Sequence, residues 1–324
     1  MEKNLIVLCI LIVASFVYLK LANKFNIVDK PNERSSHTKV TIRGGGIIFP
    51  IAILLFFFLN DFQYPFFVLG LFLIAFVSFL DDIYTLSSRV RFPFQIIAIS
   101  LILFQAAFPV FPLYYSVLCL VLGVAVINMF NFMDGINGIT GMYSLAVLSG
   151  MYFINLNEAI VHTDLIVFSG LSLLVFGFYN FRKKALFFAG DIGSIAIGML
   201  LFFIGFLFVL KLQSPIFLLL ILVYGVDTAL TMLYRIVYTK ESVLDPHRHH
   251  VYQKLVDVSK ISHLKVSMGY AVLQLVVNFT ILKTYKLELS TQLIVFFGVI
   301  VLFIILYIFL FRLLAKKAKM NNAT

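Results

Sequence analysis

The chain is poor in charged residues, in cysteine and in tryptophan. Only 12% of its 324 residues are charged, whereas 62% are hydrophobic, and the mean hydropathy is +1.04. Soluble domains usually have about one quarter charged and about one half apolar residues, so the composition excludes a soluble globular protein. Cys9 and Cys119 both lie in apolar runs, which excludes a disulfide framework and a cysteine metal site.

Long apolar runs predict an all-α membrane helix bundle that forms one domain over residues 1–324. Most of the eleven runs are long enough to cross a hydrocarbon core of about 30 Å. They lie at 4–23, 45–60, 64–81, 93–110, 113–131, 138–155, 164–180, 192–211, 214–233, 266–283 and 291–311. No small-residue cleavage site follows the first run, so a retained helix is predicted and not a signal peptide.

The distribution of basic residues predicts the topology, because cytoplasmic loops are enriched in Lys and Arg. With the N-terminus outside and the C-terminus in the cytoplasm, all but four of the 25 Lys and Arg residues fall on the cytoplasmic side. The net charge of +10 is therefore predicted to face anionic headgroups or phosphorylated ligands. Nucleic acid is not expected as a partner, because no compact basic domain is present.

Polar residues interrupt the apolar pattern most strongly between residues 127 and 141. They recur at three-residue steps and alternate with glycines: Asn128, Asn131, Asp134 and Asn137. Because polar groups are costly in hydrocarbon, they are expected to line protein interior or water. The glycines predict that a helix ends near Asp134 and that the chain turns there. A carboxylate at this turn is a site candidate, and a polar seam between helices is the alternative.

The first inner loop contains basic residues and a triple glycine, Gly44–Gly46. It lacks the Lys-Ser/Thr pair of a P-loop. Two interpretations stay open, a basic loop at the membrane surface and an anion site. The anion site would use the glycine amides with Arg34, His37 and Arg43.

Three further aspartates lie at inner ends of apolar runs. Asp81 and Asp82 are adjacent, so their mutual repulsion requires a divalent cation or a nearby arginine such as Arg89 or Arg91. Asp191 begins the eighth run, where a helix cap is the alternative to a site. Asp227 in the ninth run is expected to pair with a neighbouring basic residue.

The longest inner segment contains a histidine cluster, His247, His249 and His250, around Arg248. A cation would be repelled by Arg248, so the cluster favours an anion. Apolar residues then recur at helical spacing from Val251 to Leu264, which predicts a short interfacial helix.

Carboxylates, amides and a His/Arg loop on one membrane face indicate metal-assisted phosphoryl chemistry. Hard oxygen ligands suit Mg²⁺, with Mn²⁺ as the alternative. Cationic groups opposite the metal suit the charge that spreads over a transferring phosphoryl group.

Four motifs also occur in the order seen in polyprenyl-phosphate N-acetylhexosamine-1-phosphate transferases, and the chain resembles this glycosyltransferase family 4 type. The motifs are Asp81-Asp82, Asn128–Gly141, Gly190–Ser194 and His247–His250. The superfamily includes phospho-N-acetylmuramoyl-pentapeptide transferase. The match spans residues 29–255, and Arg43–Gly46 and His247–Leu255 look most like the branch that starts O-antigen and related surface glycans.

The resemblance implies an Mg-dependent glycosyl-1-phosphate transferase in the bacterial cytoplasmic membrane with its site on the cytoplasmic face. Undecaprenyl phosphate would attack the sugar-linked phosphate of a UDP-N-acetylamino sugar, giving undecaprenyl-diphosphate-sugar and UMP. Asp191 would be the firmest Mg²⁺ ligand, with Asp81 and Asp82 near the metal and the nucleophile.

The resemblance also implies roles for the remaining site residues. Asp134, Asn131, Asn128 and Asn137 would order the nucleotide, and the anion-binding loop would contribute Arg43 and His37. The diphosphate would be held by His247, Arg248, His249 and His250, of which His249 and His250 are expected to act in catalysis. A base role for Asp81 is the weaker hypothesis, because the lipid phosphate is already largely ionised at neutral pH, with a pKa of about 6.

Two departures from the family pattern concern Asn137, where many members carry a second aspartate, and the run Arg182–Leu186, where relatives often show a Pro-Ala pair. The competing class is a cation-coupled secondary transporter or lipid-linked sugar flippase. Transporters place their site near the bilayer midplane, often in repeated halves, and no repeat is visible here. The donor sugar and the glycan pathway stay open, as does a homodimer.

Overall fold

The computed structural model describes residues 2–31, 39–106, 112–240 and 247–321. Arg34 and His37, two residues of the predicted anion site, lie outside these ranges. The described residues form twelve α-helices: α1 (Glu2–Lys24), α2 (Ile48–Leu59), α3 (Pro65–Tyr84), α4 (Ser88–Gln105), α5 (Leu113–Met133), α6 (Ile139–Glu158), α7 (Thr163–Asn180), α8 (Gly190–Leu212), α9 (Leu222–Tyr234), α10 (Val251–Asp257), α11 (His263–Thr284) and α12 (Leu289–Asn321).

The all-α multi-pass membrane architecture is confirmed. Helices dominate because an apolar segment in lipid must satisfy its backbone hydrogen bonds within itself. Among the described residues, nine helices are long and apolar enough to cross a membrane. One of them combines a 3₁₀ turn at Pro215–Ile221 with α9 and a π-helical turn at Arg235–Thr239.

The predicted count of eleven spans rests on two further helices, α2 and α4. Each of the eleven apolar runs overlaps helical structure, but the helix at Gly45–Leu59 is shorter than a usual span. The first turn of α4 contains Arg89 and Arg91, which lower its hydropathy. The eleven spans and the outward orientation of the N-terminus therefore stay predictions.

Helix α8 lies at the centre of the bundle, where it packs against α3 and α5. Nearly all of its side chains from Ile192 to Leu201 are buried. At one end of the bundle, Lys3 Nζ at the start of α1 lies 2.8 Å from Asp164 Oδ2 at the start of α7. The predicted inner loops meet at the other end, so the helices alternate in direction as the sequence predicted.

A small antiparallel hairpin of β1 (Val28–Asp29) and β2 (Thr41–Ile42) follows α1. Ile42 also forms a parallel bridge to Phe187, in the segment before α8. The first inner loop is thus joined to the start of the central helix α8.

The predicted interfacial helix is shorter than expected. Helix α10 ends at Asp257, and Lys260 adopts a left-handed backbone with φ of 56°. Leu264 belongs to α11, so the prediction of one amphipathic helix reaching Leu264 is wrong. The apolar residues recur at helical spacing because α10 and α11 follow each other after a short turn.

Candidate functional site

Asp81 lies in the last turn of α3, which ends as Thr85 adopts a left-handed conformation. One carboxylate oxygen of Asp81 accepts the backbone N–H of Leu86. The other, Oδ2, lies 2.7 Å from Nη1 of Arg91 in the first turn of α4. The turn between the two helices therefore sets this ion pair.

Asp82 is buried, and both of its carboxylate oxygens accept hydrogen bonds from the start of α8. The N–H of Asp191 donates to Oδ1 (2.9 Å), and the N–H of Ile192 donates to Oδ2 (3.2 Å). Nε of Arg43 also lies 2.6 Å from Oδ1. The first N–H groups of a helix need acceptors and favour negative charge, so Asp82 caps α8 from a different helix.

Asp191 therefore does not serve as the cap of α8, and that interpretation is wrong. Its carboxylate points instead at two arginines, with Arg43 Nη2 2.9 Å from Oδ1 and Arg91 Nη1 2.6 Å from Oδ2. The same Nη1 atom also contacts Asp81, so Arg91 bridges two aspartates. We call these five residues the carboxylate–arginine cluster: Arg43, Asp81, Asp82, Arg91 and Asp191.

Electrostatics bind the cluster together. With all five side chains ionised, three carboxylates face two guanidinium groups, which leaves one negative charge uncompensated. Burial alone would lower the pKa of Arg43, but the neighbouring Asp82 and Asp191 carboxylates raise it above its usual range. Arg43 is therefore permanently charged within the cluster.

Glycines allow the close approach that places Arg43 in the cluster. The N–H groups of Gly45 and Gly46 donate to the carbonyls of Phe188 (2.8 Å) and Ala189 (2.9 Å). Gly190 has φ of +71°, and a Cβ there would collide with the Asp82 carboxylate. The expectation that the triple glycine offers its amides to an anion is wrong for Gly45 and Gly46, because their amides hold the α8 start.

The turn between α5 and α6 carries Asp134, and the predicted helix end is confirmed because α5 ends at Met133. Thr140 Oγ1 donates a 2.6 Å hydrogen bond to Asp134 Oδ1. Burial raises the pKa of Asp134 to about 6, although the Thr140 hydrogen bond opposes the shift. Asp191 and Arg43 also influence this carboxyl, so it lies within electrostatic range of the cluster.

The three asparagines assigned to the nucleotide have different surroundings. Asn131 Nδ2 lies 3.4 Å from Ser194 Oγ on α8, near the cluster. Asn128 exchanges hydrogen bonds with Gln95 (2.8 and 3.2 Å), which matches the polar-seam alternative at that position. Asn137 Nδ2 donates to the carbonyls of Arg182 (2.9 Å) and Lys183 (3.3 Å), so it shapes the loop before α8.

The histidine loop, His247–His250, lies on the opposite side of the same turn. Tyr252 OH donates a 3.1 Å hydrogen bond to the Phe132 carbonyl, which joins the loop to the end of α5. Burial lowers the pKa of His247 to about 3, with further lowering by His250 and Arg235. The neutral form of His247 is therefore favoured at pH 7.

Arg248 and His250 each have an acidic partner. Arg248 forms a two-pronged ion pair with Asp257 at 3.0 and 2.8 Å. His250 Nδ1 lies 3.1 Å from Asp227 Oδ1, so the predicted pairing of Asp227 with a basic neighbour is confirmed. Sequence reasoning did not identify this partner because the pairing joins residues from two segments.

Comparison with known proteins agrees with the motif resemblance. Residues 64–209 match the sequence profile of glycosyl transferase family 4. The chain is similar to this family over that region. The matched region contains Asp81, Asp82, Arg91, Asp134 and Asp191, whereas Arg43 and the histidine loop lie outside it.

Two curated proteins are similar to the chain over longer regions. The chain is 26% identical over 293 residues to a probable undecaprenyl-phosphate N-acetylglucosaminyl 1-phosphate transferase of Bacillus subtilis, covering 82% of the chain and 79% of the relative. It is 29% identical over 205 residues to an undecaprenyl-phosphate alpha-N-acetylglucosaminyl 1-phosphate transferase of Yersinia pestis, covering 56% of each.

A cavity of about 400 Å³ opens beside Asn137. Its polar lining is predominantly basic, and it includes Lys39, Lys183, Lys184 and His263. Phe188, three residues before Asp191, forms part of the wall. The sequence had not singled out His263, and the charge run before Asp191 was the only signal for Lys183 and Lys184.

The donor atoms of the carboxylate–arginine cluster fit a hard metal ion. Within the described ranges, no three His, Cys, Asp or Glu side chains are grouped to hold one. Mg²⁺ typically needs only one or two carboxylates, with substrate phosphates completing its shell. Asp81 and Asp191 supply hard oxygen donors in a cluster with excess negative charge, so the donor chemistry fits. Asp82 is the most fully engaged of the three carboxylates, because two backbone N–H groups and Arg43 already reach its oxygens.

Proposed function

We propose that this chain transfers an N-acetylated amino-sugar 1-phosphate from a UDP-sugar to undecaprenyl phosphate. An oxygen of the lipid phosphate attacks the sugar-linked phosphorus of the UDP-sugar. The bond from that phosphorus to the bridging oxygen breaks, and UMP leaves with the electron pair. The products are undecaprenyl-diphosphate-sugar and UMP, in the first membrane step of a bacterial surface glycan such as O-antigen.

The observation that carries this proposal is the carboxylate–arginine cluster. Four separate chain segments bring three aspartates and two arginines together at one end of the helices. Phosphoryl transfer needs positioning and fixed charge more than covalent chemistry by the protein. Arg43 and Arg91 supply cations near the transferring phosphoryl group, and the aspartates hold both guanidinium groups in place.

The contacts of Asp81 favour positioning over proton abstraction. One of its oxygens accepts the Leu86 N–H, and the other binds Arg91. A carboxylate with both oxygens in use is a poor general base. The nucleophile needs little help, because a phosphate monoester with a second pKa of about 6 is largely ionised at pH 7.

Mg²⁺ would be held by Asp191 and Asp81, and when bound it would neutralise charge on the diphosphate. Mn²⁺ offers the same hard-ligand chemistry. The basic cavity beside Asn137 would take the nucleotide end of the donor, because Lys39, Lys183 and Lys184 complement phosphate charge. Asp134 at the neighbouring turn would then orient the nucleotide from the cluster side.

We infer N-acetylglucosamine as the first donor sugar to test, since both curated relatives are named for it. N-acetylgalactosamine and a 6-deoxy amino sugar such as N-acetylfucosamine are the alternatives. The site would face the cytoplasm of a bacterial inner membrane, because the basic loops surround it.

The decisive experiment measures UMP release by purified protein with undecaprenyl phosphate and a panel of UDP-N-acetylamino sugars. Reactions run with Mg²⁺, with Mn²⁺ and with EDTA. We expect lipid-dependent and metal-dependent release that Asp191→Asn abolishes. Asp164→Asn is the matched control, because it makes the same change at the opposite end of the bundle.

Two outcomes would contradict the proposal. UMP release that persists in EDTA would contradict the metal requirement. No UMP release with any donor from well-folded protein would contradict the proposed reaction. The transporter alternative predicts an ion site near the bilayer midplane. The position of the carboxylate–arginine cluster at helix ends supports the enzyme instead.

A further inference from the structure

Asp227 is a buried carboxylate that the proposed reaction does not yet use. It lies on α9 with 2% of its surface exposed. Four donors reach it, and they come from α9, the start of α10 and α11. Oδ1 lies 3.1 Å from His250 Nδ1 and 3.2 Å from both the Val251 N–H and the Thr231 hydroxyl. Tyr270 OH donates to Oδ2 at 2.5 Å.

His250 is the partner with an unused atom. The residue is 1% exposed, and its Nε2 has no hydrogen-bond partner among the described residues. The His247 and Tyr252 rings lie beside it, with centroids 4.9 and 5.5 Å away. A buried polar atom without a partner costs free energy, so native proteins rarely keep one without a reason. A ligand that contacts Nε2 would provide that reason.

The carboxylate determines what Nε2 can do. An ionised Asp227 only accepts hydrogen bonds, so it favours the tautomer with a proton on Nδ1 over the competing one in which the His250 side chain accepts the Gln253 N–H as the cap of α10. Such a second hydrogen bond fixes the tautomer and the orientation of an imidazole ring. Nε2 is then the one ring nitrogen left for a ligand.

We propose that Asp227 is a positioning residue that holds His250 so that Nε2 contacts a phosphate oxygen of the substrate diphosphate. The inference rests on the proposed function, because it takes the diphosphate as the ligand. With Asp227 at Nδ1 and an anionic oxygen at Nε2, the ring donates a proton to each side. Tyr270 and Thr231 hold the carboxylate, and they act on His250 only through it.

A purely structural role is the competing explanation, because Asp227 also accepts the first N–H of α10. Asp227→Asn separates the two roles. The amide keeps the size of the side chain, and its one oxygen at the Oδ1 position still accepts the Val251 N–H while its NH₂ group faces the Tyr270 hydroxyl. It removes the charge, however, so Nδ1 loses the anionic acceptor that favours its protonation.

A double-mutant cycle tests the coupling through UMP release. We expect Asp227→Asn and His250→Ala each to lower kcat/KM by about 10- to 100-fold, the range for one charge-assisted hydrogen bond. The double variant should be no worse than His250→Ala alone, because Asp227 acts through that ring. If Asp227→Asn lowers the rate equally in both backgrounds, the proposal is overturned.

Two control variants accompany the cycle. Thr231→Val removes one donor to the carboxylate but keeps its charge and its contact with His250, so we expect a rate within about threefold of wild type, because Val251 and Tyr270 still donate to the carboxylate. Asp164→Asn controls for the carboxylate-to-amide change itself. A loss with Thr231→Val as large as with Asp227→Asn would indicate a structural role and overturn the proposal.

A second measurement does not depend on turnover. Nitrogen NMR of ¹⁵N-histidine protein in detergent reports which ring nitrogen of His250 carries the proton, with His250→Ala assigning the signal. We expect a protonated Nδ1 in wild type, a smaller protonated fraction at Nδ1 in Asp227→Asn, and a shift of Nε2 when inorganic pyrophosphate is added. An unchanged His250 signal in Asp227→Asn would overturn the proposal. Wild-type protein that releases no UMP would count against the proposed function, while these spectra still judge the Asp227–His250 pair.

Discussion

Arg91 Nη1 lies 2.6 Å from Asp191 Oδ2, although one hundred residues separate them in the chain. Arg91 also contacts Asp81, so one guanidinium group links the last turn of α3 to the first turn of α8. The positive charge of Arg91, on α4, offsets the repulsion that the sequence predicted between the adjacent Asp81 and Asp82 carboxylates.

Arg91→Ala is expected to abolish most activity and lower stability. Truncating one partner of a hydrogen-bonded charge pair in a buried site costs about 2–5 kcal/mol, because the other charge stays behind. UMP release should fall by at least about tenfold, and the melting temperature should drop. Arg89→Ala is the matched control, since Arg89 is exposed two residues earlier. Equal activity of the two variants would show that the Arg91 contacts are unimportant.

Gly190→Ala is expected to damage the site through the backbone. Gly190 has φ of +71°, where an L side chain is strained by roughly 1–2 kcal/mol. Its Cβ would also displace the Asp82 carboxylate that caps α8. Thermal unfolding should show a lower melting temperature together with lost UMP release. Gly170→Ala on α7, where a Cβ meets nothing within 4 Å, should be neutral or slightly stabilising. A stable and active Gly190→Ala protein would show that the close approach of Gly190 to the Asp82 carboxylate is not required.

The acidic limb of the pH–rate profile is expected to report Asp134. Burial raises its pKa to about 6, so activity that needs the ionised carboxylate falls as the pH drops through 6. Thr140→Val removes a hydrogen bond that favours ionisation. The limb should therefore move to higher pH. Asp134→Asn should remove the Asp134 contribution and leave the titration of the lipid phosphate, which also has a pKa of about 6. A limb that is unchanged in both variants would assign the whole titration to the lipid phosphate.

The same shift gives a prediction for stability. A carboxyl group with a raised pKa in the folded state binds protons more readily there than in the unfolded chain. Its contribution to the free energy of unfolding is therefore largest at low pH and is lost as the pH rises from about 4 to about 6. Asp134→Asn should flatten this part of the stability curve. Chemical unfolding across that range measures the effect.

Lys183 and Lys184 are expected to act on donor affinity. Both line the basic cavity, so replacing each with alanine should raise KM for the UDP-sugar several-fold and weaken its salt dependence. The turnover number should change little, because neither residue belongs to the carboxylate–arginine cluster. Lys211→Ala at the far end of α8 is the control. A fall in kcat at unchanged KM would place the nucleotide elsewhere.

The sequence already predicted the all-α membrane architecture and the positions of the candidate aspartates along the chain. Apolar runs predicted the helices because lipid-facing segments must be both long and apolar. The Asn/Gly stretch predicted the α5 end at Asp134 because glycine and turn chemistry are local. The aspartates were found because carboxylates at membrane-helix ends are costly and therefore noticeable.

Only the tertiary structure decided which partner each charged group has. Sequence spacing could not show that Asp82 caps α8, that Arg91 bridges Asp81 and Asp191, or that Asp227 holds His250. These contacts join helix ends that are far apart in the chain, and hydrophobic periodicity describes one helix at a time. Helix type and length follow from local chemistry in lipid, whereas ion pairs depend on how the finished helices pack.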